Sequence, residues 1–292
     1  MNFFTRKYFQ LYIAILKILR ANDIKLSKVK YHYKNGKKLN LNQPIEFMEK
    51  IQWLKFNYYK ESFGHLVDKY AVRNYVSDKI GNQYLNGFIG VYESIDEIDI
   101  QKLPNKFALK ATHGSGYNII VSDKNNLNWS KAKKKLYKYL NEDYSKENGE
   151  AIYKNVKPRI LVEEFLNQSD ENYIVDYKFF CFHGEAKYVW VKTFTQGKYK
   201  NCYYDLNWNK IKDDSNMNNF LTIEMPKPMN LQEMIKIANK LSSDFIFVRV
   251  DLYSIKERIY FGELTFFPWG GKQRLTVERF NKEFGELIHL PI

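Results

Sequence analysis

Two segments near the C-terminus carry charged side chains at a spacing suited to a metal ion or an ion cluster. The first, FIFVRVDLY, contains Arg249 and Asp251, and the second, RIYFGELTFF, contains Glu263 and Thr265. Both segments are typical of β-strands, in which side chains two residues apart lie on the same face. Pairing of the strands would place a guanidinium and two carboxylates on one surface. Such a set could bind Mg²⁺ together with substrate phosphates, or it could be a structural ion cluster.

Two lysines interrupt apolar, strand-like segments upstream of these acids. Lys110 is the only charged residue of FALKAT, and Lys178 alternates with aromatic residues in DYKFFCF. A lysine on a buried face costs free energy unless an anion accompanies it, so each lysine indicates either a solvated face or a bound anion. The Gly-Ser-Gly turn after FALKAT fits an ordinary hairpin or a loop over phosphate. Together with the two acids, the lysines and the turn favour phosphate binding.

Several familiar catalytic patterns are missing from the sequence. It has no GxxxxGK[ST] phosphate loop, no GxSxG elbow, no HExxH zinc motif and no kinase HRD/DFG set. Its two cysteines, Cys181 and Cys202, match neither a metal spacing nor a disulfide framework. We therefore expect inert core thiols in a reducing compartment, and no nucleophilic cysteine or serine site.

The basic charge of the chain is concentrated at its N-terminus. The 292 residues carry a formal net charge of +13, and residues 1–39 hold ten Lys/Arg against one acid, which leaves +4 for the rest. Apolar residues recur there at helical spacing, at Phe4, Tyr8, Leu11, Ile15 and Ile18. This predicts a basic amphipathic helix, which could pack on its own domain, attach to an anionic membrane or contact nucleic acid. The apolar run is too short to cross a bilayer, and we recognise no secretory signal.

The remaining hydrophobic pattern predicts a mixture of helices and antiparallel strands. Helices are predicted at 45–60, 68–81 and 130–140 and near Asn230, with Ser130 as a cap and Glu233 in a capping box. Strands are predicted around the glycine turn at 106–121, at 160–166, as a hairpin at 176–194 and as the two closing segments. With 45% hydrophobic residues a substantial core is possible. The order of the elements indicates an α+β fold without regular βαβ alternation.

Six segments in order resemble the TupA-like branch of the ATP-grasp enzymes, across roughly residues 40–290. They are DKYAVRNYV, LPNKFALKATHGSGYNIIV, PRILVEEFL, DYKFFCFHGEAKYV, FVRVDLY and GELTFFPWGG. The resemblance implies an ATP-grasp fold, in which ATP lies between two α+β lobes and Mg²⁺ accompanies it. For this chain it implies a lid lobe at 81–164 and a catalytic core lobe at 165–292, after a helical segment at 41–80 and a basic extension at 1–40.

The resemblance also implies a nucleotide site built from the matching motifs. The residues that would contact the phosphates are Lys69, Lys110 and Lys178. The flap over the phosphates would be the turn His113, Gly114, Ser115 and Gly116. The hinge that receives adenine and ribose would be Glu163, Glu164 and Phe165.

The metal and catalytic residues implied by the resemblance come from the closing strands. Asp251 and Glu263 would hold Mg²⁺. Thr265 stands where the wider superfamily usually has an asparagine as third ligand, which leaves that ligand open. Arg249, with Lys178, would stabilise charge on the phosphoryl group during its transfer.

The implied reaction is ATP-dependent ligation of a carboxylate to an amine through an acyl phosphate. In this branch the expected substrates are an amino acid and a sugar of a surface polysaccharide, free or lipid-linked. We expect a cytoplasmic enzyme that contacts the inner face of the membrane at its periphery and has no nucleic-acid partner. Only about 65 residues precede the DKYAVRNYV segment, so the acceptor site cannot be carried over. A sugar or polyol kinase and a non-catalytic protein that binds membrane surfaces or polyanions remain alternatives.

Overall fold

The computed structural model describes residues 3–19, 21–166, 175–195, 197–212 and 219–291. The described residues form the α-helices α1 (Phe3–Ile18), α2 (Asp23–Asn35), α3 (Phe47–Asn57), α4 (Gly64–Val67), α5 (Val72–Ile80), α6 (Trp129–Asn141), α7 (Tyr144–Asn148), α8 (Leu231–Ser242) and α9 (Glu278–Glu286). They also form the strands β1 (Phe88–Tyr92), β2 (Phe107–Ala111), β3 (Asn118–Val121), β4 (Ile160–Glu164), β5 (Asp176–Phe182), β6 (Glu185–Thr195), β7 (Lys198–Asp205), β8 (Lys210–Ile211), β9 (Phe247–Ile255) and β10 (Arg258–Thr265). The strands make two antiparallel sheets, so the α+β prediction is confirmed.

The first sheet has four strands in the order β1-β4-β2-β3 and places two charged residues on its open face. Phe107 and Leu109 of β2 are buried in a core that includes Leu136 of α6. Lys110 points to the opposite face because successive side chains alternate in a strand. Glu163 of β4 pairs with Ala108, two residues from Lys110, and therefore shares that opposite face. The alternation of β2 thus separates its core side chains from its charged one.

The second sheet has six strands in the order β10-β9-β5-β6-β7-β8. One face is apolar and packs against α8: Cys181 of β5 is the register partner of Val248 and lies 3.9 Å from the Ala238 carbonyl oxygen. On β9 the residues that alternate with Val248 and Val250 are Arg249 and Asp251. The charged residues of the strand therefore lie on the face turned away from α8.

The N-terminal helices pack on the body of the protein to different extents. Helix α2 buries Leu26, Ser27 and Tyr31. Its last residue, Asn35, donates from Nδ2 to the Lys272 carbonyl at 3.0 Å and accepts at Oδ1 from the Arg274 N–H at 3.0 Å. Helix α2 therefore supports the loop that follows β10. No α-helix within the described ranges has both the length and the apolar character needed to span a bilayer.

Two of the predicted helix caps are wrong. Helix α6 begins at Trp129, and its capping side chain is Asn128, which accepts from the Lys131 N–H at 2.9 Å, rather than Ser130. Helix α8 has Asn230 at its N-cap without a side-chain cap bond, and Glu233 accepts a hydrogen bond from the Tyr84 hydroxyl at 2.7 Å. Glu233 is engaged by a tertiary contact that local sequence does not contain, so the predicted capping box does not form.

Candidate active site

A row of side chains crosses five neighbouring strands of the second sheet. In register order, Glu263 of β10 is opposite Asp251 of β9, which is opposite Lys178 of β5. Lys178 is opposite Trp190 of β6, which is opposite Tyr203 of β7. Neighbouring strands are about 4.8 Å apart, so residues from distant parts of the chain meet along one line. The charged end of this row is the candidate reaction centre.

Asp251 is the buried centre of the charged cluster. Its Oδ1 accepts from Arg249 Nε at 2.6 Å, and its Oδ2 accepts from Arg249 Nη2 at 2.7 Å and Lys178 Nζ at 2.5 Å. Burial would raise the pKa of Asp251, but the charges and hydrogen bonds of Arg249 and Lys178 outweigh it, and the pKa lies below its ordinary value. Asp251 is therefore ionised at neutral pH.

Glu263 completes the acidic pair and is more accessible than Asp251. Its Oε1 is 3.2 Å from Arg249 Nη2 and accepts from Thr265 Oγ1 at 2.9 Å. Its side chain is 43% exposed, and no described residue donates to Oε2. Asp251 and Glu263 face each other, and Glu263 Oε2 is open to a further partner. Such a pair suits Mg²⁺, which is usually bound by one or two carboxylates plus substrate phosphates. Within the described ranges no group of three or more His, Cys, Asp or Glu side chains is placed to hold a metal ion.

The first sheet presents a second ionic cluster toward these acids. Lys110 Nζ is 2.6 Å from Glu163 Oε2, and Arg73 Nη1 is 3.0 Å from Glu163 Oε1. Arg73 also donates from Nη2 to the Asn86 carbonyl at 2.9 Å, which fixes the segment before β1. The cleft between the two sheets is lined by Lys110 and Glu163 from one side and by Lys178 and the acidic pair from the other. Its walls thus combine cations and hydrogen-bond acceptors.

Lys69 lies in the same cleft, just before α5. Its Nζ donates to the Ala111 carbonyl at 3.0 Å and also to the Gly114 carbonyl. Burial lowers the pKa of Lys69 to about 8. No described carboxylate lies within ion-pair distance of its ammonium group, so Lys69 offers a cation that an anionic ligand could pair with. Its two backbone acceptors also tie it to the glycine turn.

The glycine turn after β2 has one residue in the cleft and one in the neighbouring chamber. Gly116 lines the cleft with φ of +76°, a conformation that glycine adopts readily, and a Cβ there would meet nothing within 4 Å. Ser115 faces the neighbouring chamber. The His113 ring is buried, and its Nε2 is 2.9 Å from the Tyr139 carbonyl of α6; burial lowers its pKa. The structure therefore places the His113 side chain under α6, outside the cleft lining.

The predicted hinge residues after Glu163 lie at the edge of the site. Glu164 donates its N–H to the Gly87 carbonyl at 2.9 Å and accepts at its carbonyl from Asn86 Nδ2 at 2.8 Å. Its carboxylate packs over Gly87, where a Cβ would come within 2.4 Å of Oε2. Phe165 follows β4 and is half-buried. Neither side chain lines the cleft, so their adenine-binding role stays a prediction.

A second chamber, of about 350 Å³, adjoins Glu263. Arg249, Glu263 and Thr265 form the wall shared with the reaction centre, while Glu150 and Lys272 lie across the chamber. Glu150 is buried, and burial raises its pKa although the charges of Lys55, Lys272 and Lys30 oppose this. Burial also lowers the pKa of Lys55 to about 7. The end of the chamber away from Glu263 is therefore polar and holds one acid, Glu150, and one lysine, Lys272.

Sequence reasoning missed several of these residues for identifiable reasons. Arg73 lies four residues after Lys69 in a motif already singled out. Asp176, which lines the cleft with Oδ2 3.6 Å from Lys178 Nζ, lies two residues before Lys178 on the same strand face. The spacing of each from a residue already singled out could have indicated a place in the cleft. Glu150 and Lys272 come from loops more than 100 residues apart, and no local pattern connects them.

Comparison with known proteins identifies the family. A family model described as TupA-like ATP-grasp matches residues 49–289. That range is most of the chain and contains every residue of the cleft described above. No curated protein matches the chain in sequence.

Solved structures of similar arrangement are distant in sequence. The D-alanine–D-alanine ligase from Bacillus anthracis complexed with ATP is 12% identical at a TM-score of 0.46, over 77% of this chain and 64% of that one. N5-carboxyaminoimidazole synthetase from Staphylococcus aureus is 10% identical at a TM-score of 0.42, over 82% of this chain and 58% of that one. D-alanyl-alanine synthetase A from Vibrio cholerae is 12% identical at a TM-score of 0.42, over 78% of this chain and 64% of that one. The chain thus spans less than two thirds of the length of these structures.

The family match and the two-sheet fold agree with each other. The predicted ATP-grasp fold is confirmed, and the family description agrees with ATP as the nucleotide. The chain belongs to the TupA-like ATP-grasp family.

Proposed function

We propose that this enzyme is an ATP-dependent carboxylate–amine ligase that joins an amino acid to a sugar of a bacterial surface polysaccharide of capsule, O-antigen or teichuronopeptide type. The observation that carries the proposal is the cleft in which Asp251 and Glu263 face Lys69 and Lys110. Paired carboxylates with nearby cations suit a metal–phosphate complex. The chamber beyond Glu263 provides room for the carboxylate that is to be activated.

Each side of the cleft has its own task in this proposal. Lys69 and Lys110 hold phosphate oxygens from the lid side, and Gly116 lets backbone N–H groups approach them closely. Glu163 accepts hydrogen bonds from the ribose hydroxyls. Residues 81–164 act as the lid lobe and 165–292 as the catalytic core lobe, after the helical segment 41–80.

The core side supplies the electrostatic part of the mechanism. The carboxylate attacks the γ-phosphorus of ATP, which releases ADP and gives an acyl phosphate. An amine then attacks the acyl carbon and displaces phosphate, which gives an amide and free phosphate with loss of the amine proton. Asp251 and Glu263, with the Thr265 hydroxyl, hold the metal. Arg249 and Lys178 neutralise the negative charge that develops during phosphoryl transfer. These fixed groups catalyse by positioning and charge neutralisation.

The test is turnover with defined substrates. ADP and phosphate release are measured with Mg-ATP across a panel of amino acids and uronic acids, for the wild type and for Glu263→Gln. We expect release only when both substrates are present, and a loss of at least about a hundredfold in Glu263→Gln. The matched control is Glu257→Gln, an exposed acid in the turn between β9 and β10, which should retain activity.

The same assay separates the alternatives. A phosphorylated sugar without free phosphate would indicate a kinase. Absence of turnover, with polyanion binding that weakens steeply as salt rises, would indicate a non-catalytic protein. Turnover of Glu263→Gln at the wild-type rate would remove Glu263 from the metal site.

A peripheral membrane contact through α1 is the second part of the proposal. Tyr8, Leu11, Ile15 and Ile18 form one stripe along the helix and are 62%, 64%, 41% and 79% exposed. Lys17 Nζ is 2.7 Å from Glu147 Oε2, which holds the end of the helix against α7. An exposed apolar stripe beside a strongly basic surface suits an anionic bilayer, where it would bring the enzyme to lipid-linked substrates at the inner face.

Vesicle co-sedimentation tests this contact. We expect the full chain to bind phosphatidylglycerol vesicles, and Leu11→Ser/Ile18→Ser to bind several-fold less. A deletion of residues 1–19 should behave like the double variant, because α2 stays on the body of the protein. Phosphatidylcholine vesicles, which carry no net charge, are the control for the electrostatic part of the binding. Equal binding by the wild type and the double variant would refute the contact.

A further inference from the structure

We propose that the groove between β6, β7 and the loop after β10 binds the sugar portion of the substrate. The inference rests on the proposed ligase function and deepens it, because it assigns the saccharide to a place in the fold. The groove has a volume of about 280 Å³, near the lower end of small-ligand pockets, roughly 300–1,000 Å³. Its wall combines the aromatic rings of Trp190, Tyr199 and Trp269 with the amides of Asn201, Asn219 and Gln273.

The groove is continuous with the reaction centre. Trp190 is the register partner of Lys178, so it lies one strand beyond the charged cluster. The Arg249 guanidinium lies 5.8 Å from the Trp190 ring centroid. Trp269 lines both the groove and the chamber beside Glu263. A ligand whose ring occupies the groove can therefore extend a reactive group into the chamber.

The lining chemistry matches a pyranose ring. Such a ring has apolar C–H faces and a rim of hydroxyl groups, while tryptophan and tyrosine offer flat apolar surfaces with a polar edge. Amide side chains both donate and accept, as hydroxyl groups require. The buried Trp190 Nε1 has no hydrogen-bond partner within the described part of the chain, so an indole N–H is available as a donor.

The backbone that carries Trp269 is held in an unusual conformation. Trp269, Gly270 and Gly271 have φ values of +51°, +62° and +65°. Gln52 Nε2 of α3 donates to the Gly270 and Gly271 carbonyls at 3.1 and 2.9 Å. A non-glycine residue at positive φ is strained, and such strain is maintained where the surrounding structure requires it. Here the strained turn presents the Trp269 ring, 37% exposed, to both cavities.

The charge of the groove favours an acidic sugar. Lys192 lies with Nζ 4.4 Å from the Tyr199 ring centroid, and no described carboxylate is within 4 Å of it. Arg274, the other cation of the groove, is already paired with Glu46 and Glu278 at 2.8 Å each. Asp176, the register partner of Lys192 on β5, interacts with it electrostatically without a close ion pair. Lys192 can therefore still attract a carboxylate on the sugar ring.

Binding measured without nucleotide tests the groove independently of catalysis. Tryptophan fluorescence of the full chain is titrated with tetragalacturonate and with neutral maltotetraose. We expect saturable binding of tetragalacturonate, weakened at least about tenfold in Trp269→Ala and in Tyr199→Ala. Lys192→Gln should weaken binding of the acidic sugar and leave binding of the neutral sugar unchanged. Tyr137→Ala, an exposed aromatic on α6 of the lid, is the matched control.

The possible outcomes distinguish the groove from the ligase proposal. The groove assignment would be overturned if Trp269→Ala and Tyr199→Ala both bound sugar with wild-type affinity. It would also be overturned if the wild type bound neither sugar. Displacement of the sugar by an aromatic peptide that binds more tightly would also overturn it. Sugar binding that depends on the groove without any ADP release would support the groove and refute the ligase. Because Tyr199 is 60% exposed, its variant tests binding even if Trp269→Ala misfolds.

Discussion

Lys178 and Asp251, 73 residues apart, face each other on neighbouring strands with Nζ 2.5 Å from Oδ2. Arg249 occupies both oxygens of the same carboxylate. Two cations therefore share one buried acid, and two further carboxylates lie beside them: Glu263, 3.2 Å from Arg249, and Asp176, 3.6 Å from Lys178. In the proposed complex, phosphates would therefore draw additional positive charge from the other side of the cleft, where Lys69 has no carboxylate partner among the described residues. This division of charge between the two sides of the cleft leads to the first prediction.

Lys69 should make nucleotide binding depend on pH. Burial lowers its pKa to about 8, so the side chain loses its positive charge as pH rises through that value. We expect ATP affinity, measured by isothermal titration calorimetry, to fall up to about tenfold between pH 7 and pH 9. Lys69→Arg keeps its charge over this range and should remove the fall. The same pH profile in both proteins would contradict the assignment.

Arg73 should stabilise the lid by pairing with Glu163. The pair joins two mostly buried side chains at 3.0 Å, and removing one partner of a buried pair costs about 3–5 kcal/mol. Because Lys110 also contacts Glu163, we expect Arg73→Met to lower the unfolding free energy in urea by about 3 kcal/mol. Arg258→Met, at an exposed position, is the control and should change little.

A double variant checks that the loss comes from the pair itself. Arg73→Met combined with Glu163→Gln should cost less than the sum of the two single changes, because each single change leaves one member of the Arg73–Glu163 pair charged without the other and the double variant does not. Strict additivity would mean that Arg73 acts through its bond to the Asn86 carbonyl alone.

Gly262 should be required for the position of Glu263. It occupies an irregularity in the pairing of β10 with β9, where a Cβ would lie 3.0 Å from the Asp251 carbonyl oxygen and 3.0 Å from the Tyr253 ring. We expect Gly262→Ala to lose about 1–3 kcal/mol of stability and to raise several-fold the Mg²⁺ concentration that gives half-maximal turnover. Gly64→Ala, whose Cβ would be 3.1 Å from the Ile152 carbonyl oxygen, should lose stability without changing the Mg²⁺ dependence. If Gly262→Ala and Gly64→Ala showed the same Mg²⁺ dependence, Gly262 would have no specific role in positioning Glu263.

The two cysteines should be unreactive in the folded protein. Both are free and buried, and burial raises the pKa of Cys181 to about 12 and that of Cys202 to about 11. The reactive thiolate is therefore scarce at neutral pH. We expect no reaction with Ellman's reagent in buffer and two thiols titrated in urea. Rapid labelling of either residue in the native protein would contradict this.

The sequence alone determined the parts of the protein that depend on local pattern. Alternation in FVRVDLY and GELTF placed Arg249 with Asp251 and Glu263 with Thr265 on shared faces, and the register of β9 with β10 agrees. The ordered motifs indicated the ATP-grasp family, which the match over residues 49–289 confirms. These features are readable because the period of a strand and the order of motifs are properties of the chain itself.

Long-range pairing decided the rest. Strand order placed Trp190 beside Lys178 and so connected an aromatic groove to the charged cluster, whereas periodicity gives only the face of a side chain and not its neighbour on another strand. The same limit explains why the sequence placed His113 in the flap over the phosphates, whereas its ring packs under α6. It also explains the chamber, where Glu150 and Lys272 meet from loops far apart in sequence. Such sites exist only after folding, because separate elements supply their walls.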